Sequence, residues 1–203
     1  MANHNVFDIA SNLIKDREFD RAEQLLLQAR NKAIEARDIV IQQRALLELI
    51  ELYCIMEPPR PDRAEELSLA REKIDRSGQS MLQTAMVFYY SLHDASRTSA
   101  KLREAIKQGK AEEDDSTIYS SLSLLGLALL DLDQAEEAAK VLREIKGMVE
   151  EKKSFIVGDE TAFLKRAQSR GLELEQVRTI ASLLIPICHN PIFLNRLKEL
   201  SSV

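Results

Sequence analysis

The fold class follows from residues 116–146, STIYSSLSLLGLALLDLDQAEEAAKVLREIK. Apolar residues recur there every three or four positions on both sides of a short polar break, as Leu122, Leu125 and Leu129 illustrate. This spacing places them on one face of a helix. Similar spacing runs through nearly all of the chain, and no segment alternates strictly between apolar and polar residues. The sequence therefore predicts an all-α protein.

Short breaks rich in proline or polar residues separate the predicted helices. Pro58 and Pro59 end one helix and Pro61 opens the next, because proline is excluded from helix interiors but accepted in a first turn. We predict helices over residues 5–16, 19–36, 38–56, 62–77, 79–92, 95–108, 116–131, 133–152, 159–170, 173–188 and 191–201.

Glycines are expected at several helix ends. Gly78, Gly109, Gly158 and Gly171 each follow a polar last turn. Glycine at this place commonly adopts the left-handed conformation that ends a helix. Each of the four is therefore predicted to be a C-terminal cap.

The chain contains an internal repeat. Residues 20–23 and 62–65 both read DRAE, and residues 133–136 read DQAE. The interval from the second tetrapeptide, at residue 62, to the third, at residue 133, is about twice the 34 residues of a helix–turn–helix repeat. One weaker copy is therefore expected between residues 79 and 110. Relative to the apolar pattern, the tetrapeptide lies three residues earlier in the last copy than in the first. We follow the apolar spacing, because packing constrains it.

Four helix pairs can be aligned on small and large apolar positions. The fourth pair carries Leu122, Leu125, Gly126 and Leu129, then Ala138, Leu142 and Ile145; the first carries Val6, Ile9, Ala10 and Leu13, then Phe19, Ala22, Leu26 and Ala29; the second carries Leu46, Leu49, Ile50 and Tyr53, then Ala64, Leu67 and Ile74; the third carries Leu82, Ala85, Met86 and Tyr89, then Thr98, Leu102 and Ala105. This pattern resembles the tetratricopeptide (TPR) family, with degenerate repeats over about residues 3–152. The chain departs from the family in having no tryptophan and glycine in only one copy.

The resemblance implies a right-handed array of antiparallel helix pairs, a TPR-like α-solenoid with a C-terminal helical cap. Residues 1–152 would form four TPR-like pairs, and residues 153–203 would be capping helices packed on the same array. Gly126 would let the two helices of the fourth pair approach closely.

The resemblance also implies a function, because TPR-like arrays hold peptides or helices in the concave groove formed by the first helix of each pair. The chain is thus expected to be a non-enzymatic protein–protein interaction module. The predicted groove residues are Phe7, Ser11, Arg44, Leu47, Glu51, Gln83, Val87, Tyr90, Ser123, Leu127 and Leu130. The Lys and Asn side chains with which some family members clamp a carboxylate are replaced here by Phe7, Ser11, Leu47 and Glu51. An apolar or mixed segment of another protein, a peptide or amphipathic helix, is therefore the expected partner.

Two alternatives stay open. The interior of the array could serve a small-molecule or peptide sensor, or a weak enzyme, as a pocket. The groove could instead be occupied by a second copy of the chain, in a structural homodimer. No catalytic, cofactor-binding or metal-binding residues are predicted, since His4, His93 and His189 show no metal-ligand spacing and no glycine-rich phosphate loop is present.

Net charge and cysteine content limit the classes of partner and the cellular location that we expect. The net charge of −5 disfavours nucleic acid and an anionic membrane as partners. No apolar run is long enough for a membrane span. Cys54 and Cys188 lie far apart in apolar stretches, which favours a reducing, cytoplasmic location.

Overall fold

The structure is a computed structural model that describes residues 3–151 and 160–202. All regular elements in these residues are helical, which confirms the all-α prediction. The α-helices are α1 (Asn3–Lys15), α2 (Phe19–Glu35), α3 (Ile39–Ile55), α4 (Pro61–Ile74), α5 (Gly78–Met86), α6 (Ala95–Glu112), α7 (Asp115–Asp131), α8 (Ala135–Glu150), α9 (Glu160–Ser169), α10 (Leu174–Leu184) and α11 (Pro191–Ser201). A π-helical turn, Val87–Ser91, follows α5, and a 3-10 turn, Ile185–Ile187, follows α10.

Two of the predicted glycine caps are wrong. Gly78 begins α5 instead of ending a helix, and Gly109 lies inside α6. Both glycines permit close packing: a Cβ on Gly78 would lie 2.9 Å from the backbone nitrogen of Gly109, and one on Gly109 would lie 3.1 Å from Ile118. Gly171 follows α9 with a φ of +68°, as predicted. Gly158 lies outside the described residues.

Most helix–helix turns use a left-handed residue that is not glycine. Glu173, which is left-handed, itself caps α10, and the left-handed residues that precede a cap are Arg17, Arg37, His93, Glu113 and Asp133. Each is followed by a residue that caps the next helix, and in most turns that residue donates its backbone N–H to the carbonyl five residues back. Asp38 donates in this way to Ala33 at 2.8 Å. This is the long bond of a Schellman turn, so one turn geometry recurs along the chain.

The chain divides into two compact units, and the first comprises residues 1–76 and 90–92. Within it, α1 to α4 pack against one another in chain order, and α1 also contacts α3. The short turns make successive helices antiparallel. Leu26, Leu46 and Leu49 are fully buried between them.

The second unit comprises residues 77–89 and 93–203. Helices α5 to α8 pack in chain order, and α5 also contacts α7. The C-terminal helices join the same unit, because α9 packs on α7, α10 packs on α8, and α11 packs on α9 and α10. As a result α7 is the centre of this unit, and every residue from 121 to 130 is buried.

The shared tetrapeptide and the apolar spacing fall at different places relative to the helix boundaries. Asp20 lies one residue inside α2, whereas Asp133 lies two residues before α8. The shared tetrapeptide therefore does not occupy equivalent positions. The apolar positions assigned to the fourth pair are all buried, from Leu122 in α7 to Ile145 in α8. The assignment is wrong at three positions of the other pairs, because Ile9, Ile74 and Met86 are exposed.

Candidate functional site

The eleven predicted groove residues belong to different units. Phe7, Ser11, Arg44, Leu47, Glu51 and Tyr90 lie in the first unit, and Gln83, Val87, Ser123, Leu127 and Leu130 lie in the second. We therefore describe the two groups separately.

In the second unit most of the predicted groove is not a surface. Val87, Ser123, Leu127 and Leu130 are all at most 5% exposed, which corrects the expectation that they line an open groove. Only Gln83 of this group is half-buried. These four side chains therefore do not form an open groove in this structure.

Helix α9 explains part of this burial. Phe163 of α9 is completely buried and lies directly on Gly126 of α7. Ser123 and Leu130 are three and four residues from Gly126 along α7, so they share its face. Gly126 is a packing residue, but its contact is with α9; the sequence had predicted that it serves the crossing of α7 and α8.

Polar contacts hold α9 at the end of α7. Tyr89 donates a hydrogen bond of 2.8 Å to Asp131, the last residue of α7, and Arg166 of α9 pairs with the other oxygen of that carboxylate. Arg170 pairs with Asp133 at 3.0 Å. Desolvation and the hydrogen bond to Asp131 raise the pKa of Tyr89 to about 12, so its hydroxyl remains a donor at neutral pH.

In the first unit, Phe7 and Arg44 are in direct contact. The guanidinium carbon of Arg44 lies 4.2 Å from the centre of the Phe7 ring, a cation–π contact between α1 and α3. Phe7 is buried, and Arg44 is 3.9 Å from Glu48. Partial desolvation, and then repulsion from Glu48, raise the pKa of Glu51 above its usual value. The buried ring of Phe7 thus packs beneath the guanidinium of Arg44. The prediction that Phe7 lies on the open surface of the groove is wrong.

The other predicted residues of this unit remain accessible. Ser11 and Leu47 are half-buried, Glu51 is exposed, and Tyr90 is 47% exposed. The surface they offer is mixed in polarity, because Arg44 and Glu51 lie on the same helix as Leu47.

Phe7 also lines a cleft that the sequence did not predict. This α1–α3 cleft has a volume of about 350 Å³ and opens between α1, α2 and the start of α3. Its apolar walls are formed by Val6, Phe7, Leu25, Ala29, Ala33, Ala36 and Ile41, and its polar groups are Gln28, Lys32 and Asp38. Asp38 is fixed in place because its carboxylate accepts a hydrogen bond of 3.0 Å from the backbone of Ile41. Small side chains on α2 leave the space open.

Two exposed apolar residues lie in the chain between residues that line this cleft. Ile39 is 57% exposed and Val40 is 74% exposed, and both lie between two residues that line the cleft, Asp38 and Ile41. The uninterrupted run Ile39-Val40-Ile41 could have indicated this feature, because a helix that begins with three β-branched apolar residues cannot bury all of them on one face.

A second cleft of about 270 Å³ lies elsewhere on the first unit, and we call it the arginine cleft. Its lining residues are Glu23, Leu27, Arg30, Tyr53, Arg60, Arg63, Glu66 and Leu67. Glu23 accepts a hydrogen bond of 2.7 Å from the Tyr53 hydroxyl, and both of its oxygens accept from one nitrogen of Arg60, at 3.1 and 3.0 Å. Desolvation and this contact with Glu23 raise the pKa of Tyr53 to about 12.

Within the described residues, no group of histidine, cysteine, aspartate and glutamate side chains has the arrangement of a metal site. Cys54 and Cys188 are both free thiols. None of the described helices combines the length and the apolar character that a bilayer crossing requires.

Comparison with known proteins gives a likeness of fold. No family model matches the chain, and no curated protein matches its sequence. Among solved structures, the chain is similar to the crystal structure of BtubC (BKLC) from P. vanneervenii, with a TM-score of 0.72 and 16% sequence identity. The likeness covers 98% of this chain and 79% of that chain. BtubC is a helical protein, so the likeness agrees with the all-α fold.

Proposed function

We propose that this chain is a non-enzymatic protein–protein interaction module that holds a segment of a partner protein. We also propose that its helix pairs form a right-handed TPR-like array, with the C-terminal helices as its cap. The complete burial of the fourth-pair positions supports this register. The free thiols of Cys54 and Cys188 support a cytoplasmic setting.

The α1–α3 cleft is the observation on which the binding proposal rests. Its volume is at the lower end of the range for ligand pockets, and its walls are mainly apolar with a few polar groups. Phe7 connects it to the predicted groove, since the same ring lines the cleft and supports Arg44. The binding surface of the first unit would therefore consist of this cleft together with Ser11, Arg44, Leu47 and Glu51.

The chemistry of the cleft defines the segment that fits it. The apolar walls would take one or two apolar side chains of the partner, and the exposed Ile39 and Val40 would extend the contact. Lys32 and Asp38 have opposite charges, so the flanking residues of the segment would be complementary to both. An amphipathic segment satisfies these conditions, whereas a uniformly acidic tail does not.

A peptide-display selection against the whole protein tests this proposal. We expect the selected peptides to share an apolar anchor, and to bind the Ala29→Phe variant at least tenfold more weakly because the new ring fills the cleft. Fluorescence anisotropy with a labelled selected peptide measures the difference. Ala70→Phe, on half-buried Ala70 of α4 outside the cleft, is the matched control.

Surface variants provide a second comparison. Val40→Glu should weaken binding of the same peptide, whereas Ile55→Glu at the other end of α3 should not, although both positions are more than half exposed. Equal binding by the parent, Ala29→Phe and Val40→Glu would place the partner surface elsewhere and reject the proposal.

A further inference from the structure

The arginine cleft carries more positive than negative charge. Arg30, Arg60 and Arg63 line it with only two carboxylates, those of Glu23 and Glu66. The lining therefore has one uncompensated positive charge at neutral pH. It is formed by α2, α3 and α4 together with Arg60 from the turn before α4, and it shares no lining residue with the α1–α3 cleft.

The two carboxylates are engaged differently. Glu23 is held by the Tyr53 hydroxyl and by Nη1 of Arg60, and its side chain is only 18% exposed. The pair between Arg63 and Glu66 is 2.8 Å long, but both side chains are about two-thirds exposed. An exposed pair of this kind contributes little and can exchange partners. Arg63 can therefore turn to another anion, while Glu23 stays with its present partners.

Arg30 supplies an independent observation. Its Nε is buried and has no hydrogen-bond acceptor among the described residues. A buried donor without an acceptor is uncommon in folded proteins, and such donors bond to ordered water or to a bound group. Because Arg30 lines the cleft, a change of its side-chain rotamer would bring this nitrogen to an oxygen atom bound there.

We propose that the arginine cleft binds one carboxylate group that is carried next to an apolar group. A single carboxylate matches the charge of the lining, and a guanidinium and a carboxylate form paired hydrogen bonds. Leu27 and Leu67 supply apolar wall area beside the arginines. Arg30 and Arg63 donate to the carboxylate, and the pair of Glu23 and Arg60 forms the fixed wall.

The test uses N-acetyl-L-leucine, which has both features, and N-acetyl-L-leucinamide, which lacks the charge. NMR spectra of the arginine side chains in the ¹⁵N-labelled whole protein report binding. We expect saturable shifts of the Arg30 Nε–H signal with the acid and none with the amide. Equal shifts with both compounds, or shifts that include exposed Arg21 on α2 to the same extent, overturn the proposal.

Variants give the same test a second readout. Arg30→Met keeps the apolar stem and removes the donors, so it should weaken binding of the acid at least tenfold. Arg21→Gln, on the same helix but outside the cleft, should bind as the parent does. Glu66→Gln removes the carboxylate that pairs with Arg63, so this variant should bind the acid several-fold more tightly than the parent. Because Glu66 is exposed, this measurement remains possible if Arg30→Met folds poorly. Unchanged binding by Glu66→Gln and Arg30→Met rejects the site.

Two further probes identify the source of the carboxylate. Acetyl-Ala-Leu presents a C-terminal carboxylate, and acetyl-Glu-Leu-amide presents one on a side chain. Binding of either supports the proposal with a polypeptide as the ligand, and binding of N-acetyl-L-leucine alone supports it with a free acid. Ala29→Phe, which fills the α1–α3 cleft, leaves all three interactions unchanged, so the two sites are tested separately.

Discussion

Gly126 lies directly beneath the ring of Phe163, and a Cβ built on the glycine would be 2.3 Å from two atoms of that ring. The two residues are on α7 and α9, so the contact joins helices that are separated by the whole of α8. Both are buried, and no space remains for the ring to move aside without disturbing its neighbours.

Gly126→Ala should therefore destabilise the protein although alanine is the better helix former. We expect a loss of about 1–3 kcal/mol in the free energy of unfolding from overpacking, measured by urea denaturation. Gly147→Ala in α8 is the control, because a Cβ there meets nothing within 4 Å. That variant should gain about 0.5–1 kcal/mol. A stable Gly126→Ala would contradict the packing of α9 on α7.

Removal of residues 152–203 should expose the face of α7 that carries Ser123 and Leu130. Apolar area contributes about 25 cal/mol per Å², so the shortened chain should melt well below the parent and bind a hydrophobic dye. Removal of the last two residues alone should change neither property, since Ser202 is exposed. A shortened chain that is monomeric and equally stable would show that α9 to α11 are dispensable for the unit.

The left-handed turn residues offer a way to stabilise the protein. Glu113 is exposed and has a φ of +56°, a conformation that costs an ordinary residue about 1 kcal/mol. Glu113→Gly should therefore raise the free energy of unfolding, or leave it unchanged. Lys107→Gly, at an exposed interior position of α6, should lower it by about 1 kcal/mol. Chemical denaturation of the two variants side by side tests the assignment of the turn.

Tyr89 should make stability fall at alkaline pH. Its pKa is about 12 in the folded protein and about 10 in an unfolded chain. Between these values the folded state holds the proton that the unfolded state releases, so the free energy of unfolding decreases as pH rises from 10 to 12. Below pH 10 the contribution is complete. Tyr89→Phe should show a shallower decrease than the parent in urea titrations at pH 9, 10 and 11, and an unchanged slope would argue against the bond to Asp131.

The local structure was largely predictable from the sequence. The spacing of Leu122, Leu125 and Leu129 predicts the helix α7, because it depends on neighbours three and four residues away. It predicts one buried face, whereas α7 is buried on every side from residue 121 to residue 130. The turns were less predictable. Glycine is the residue expected in left-handed positions, whereas this chain uses Arg37 and Glu113. The signal available was the acidic capping residue that follows each of them, Asp38 or Asp114.

The sites could not be predicted in the same way. Burial of Ser123 depends on α9, which lies more than thirty residues further along the chain, and no periodic pattern records such a contact. The arginine cleft likewise combines Arg30 from α2 with Arg63 from α4. Spacing within one helix identifies neither pairing, because each arises from tertiary packing alone.

The contact between Gly126 and Phe163 also bears on synthesis of the protein. A ribosome adds about 5–20 residues per second, so α7 emerges several seconds before its covering helix can be complete. During that interval the face of α7 that α9 later covers is open to solvent. The second unit therefore cannot complete its core until α9 has left the ribosome.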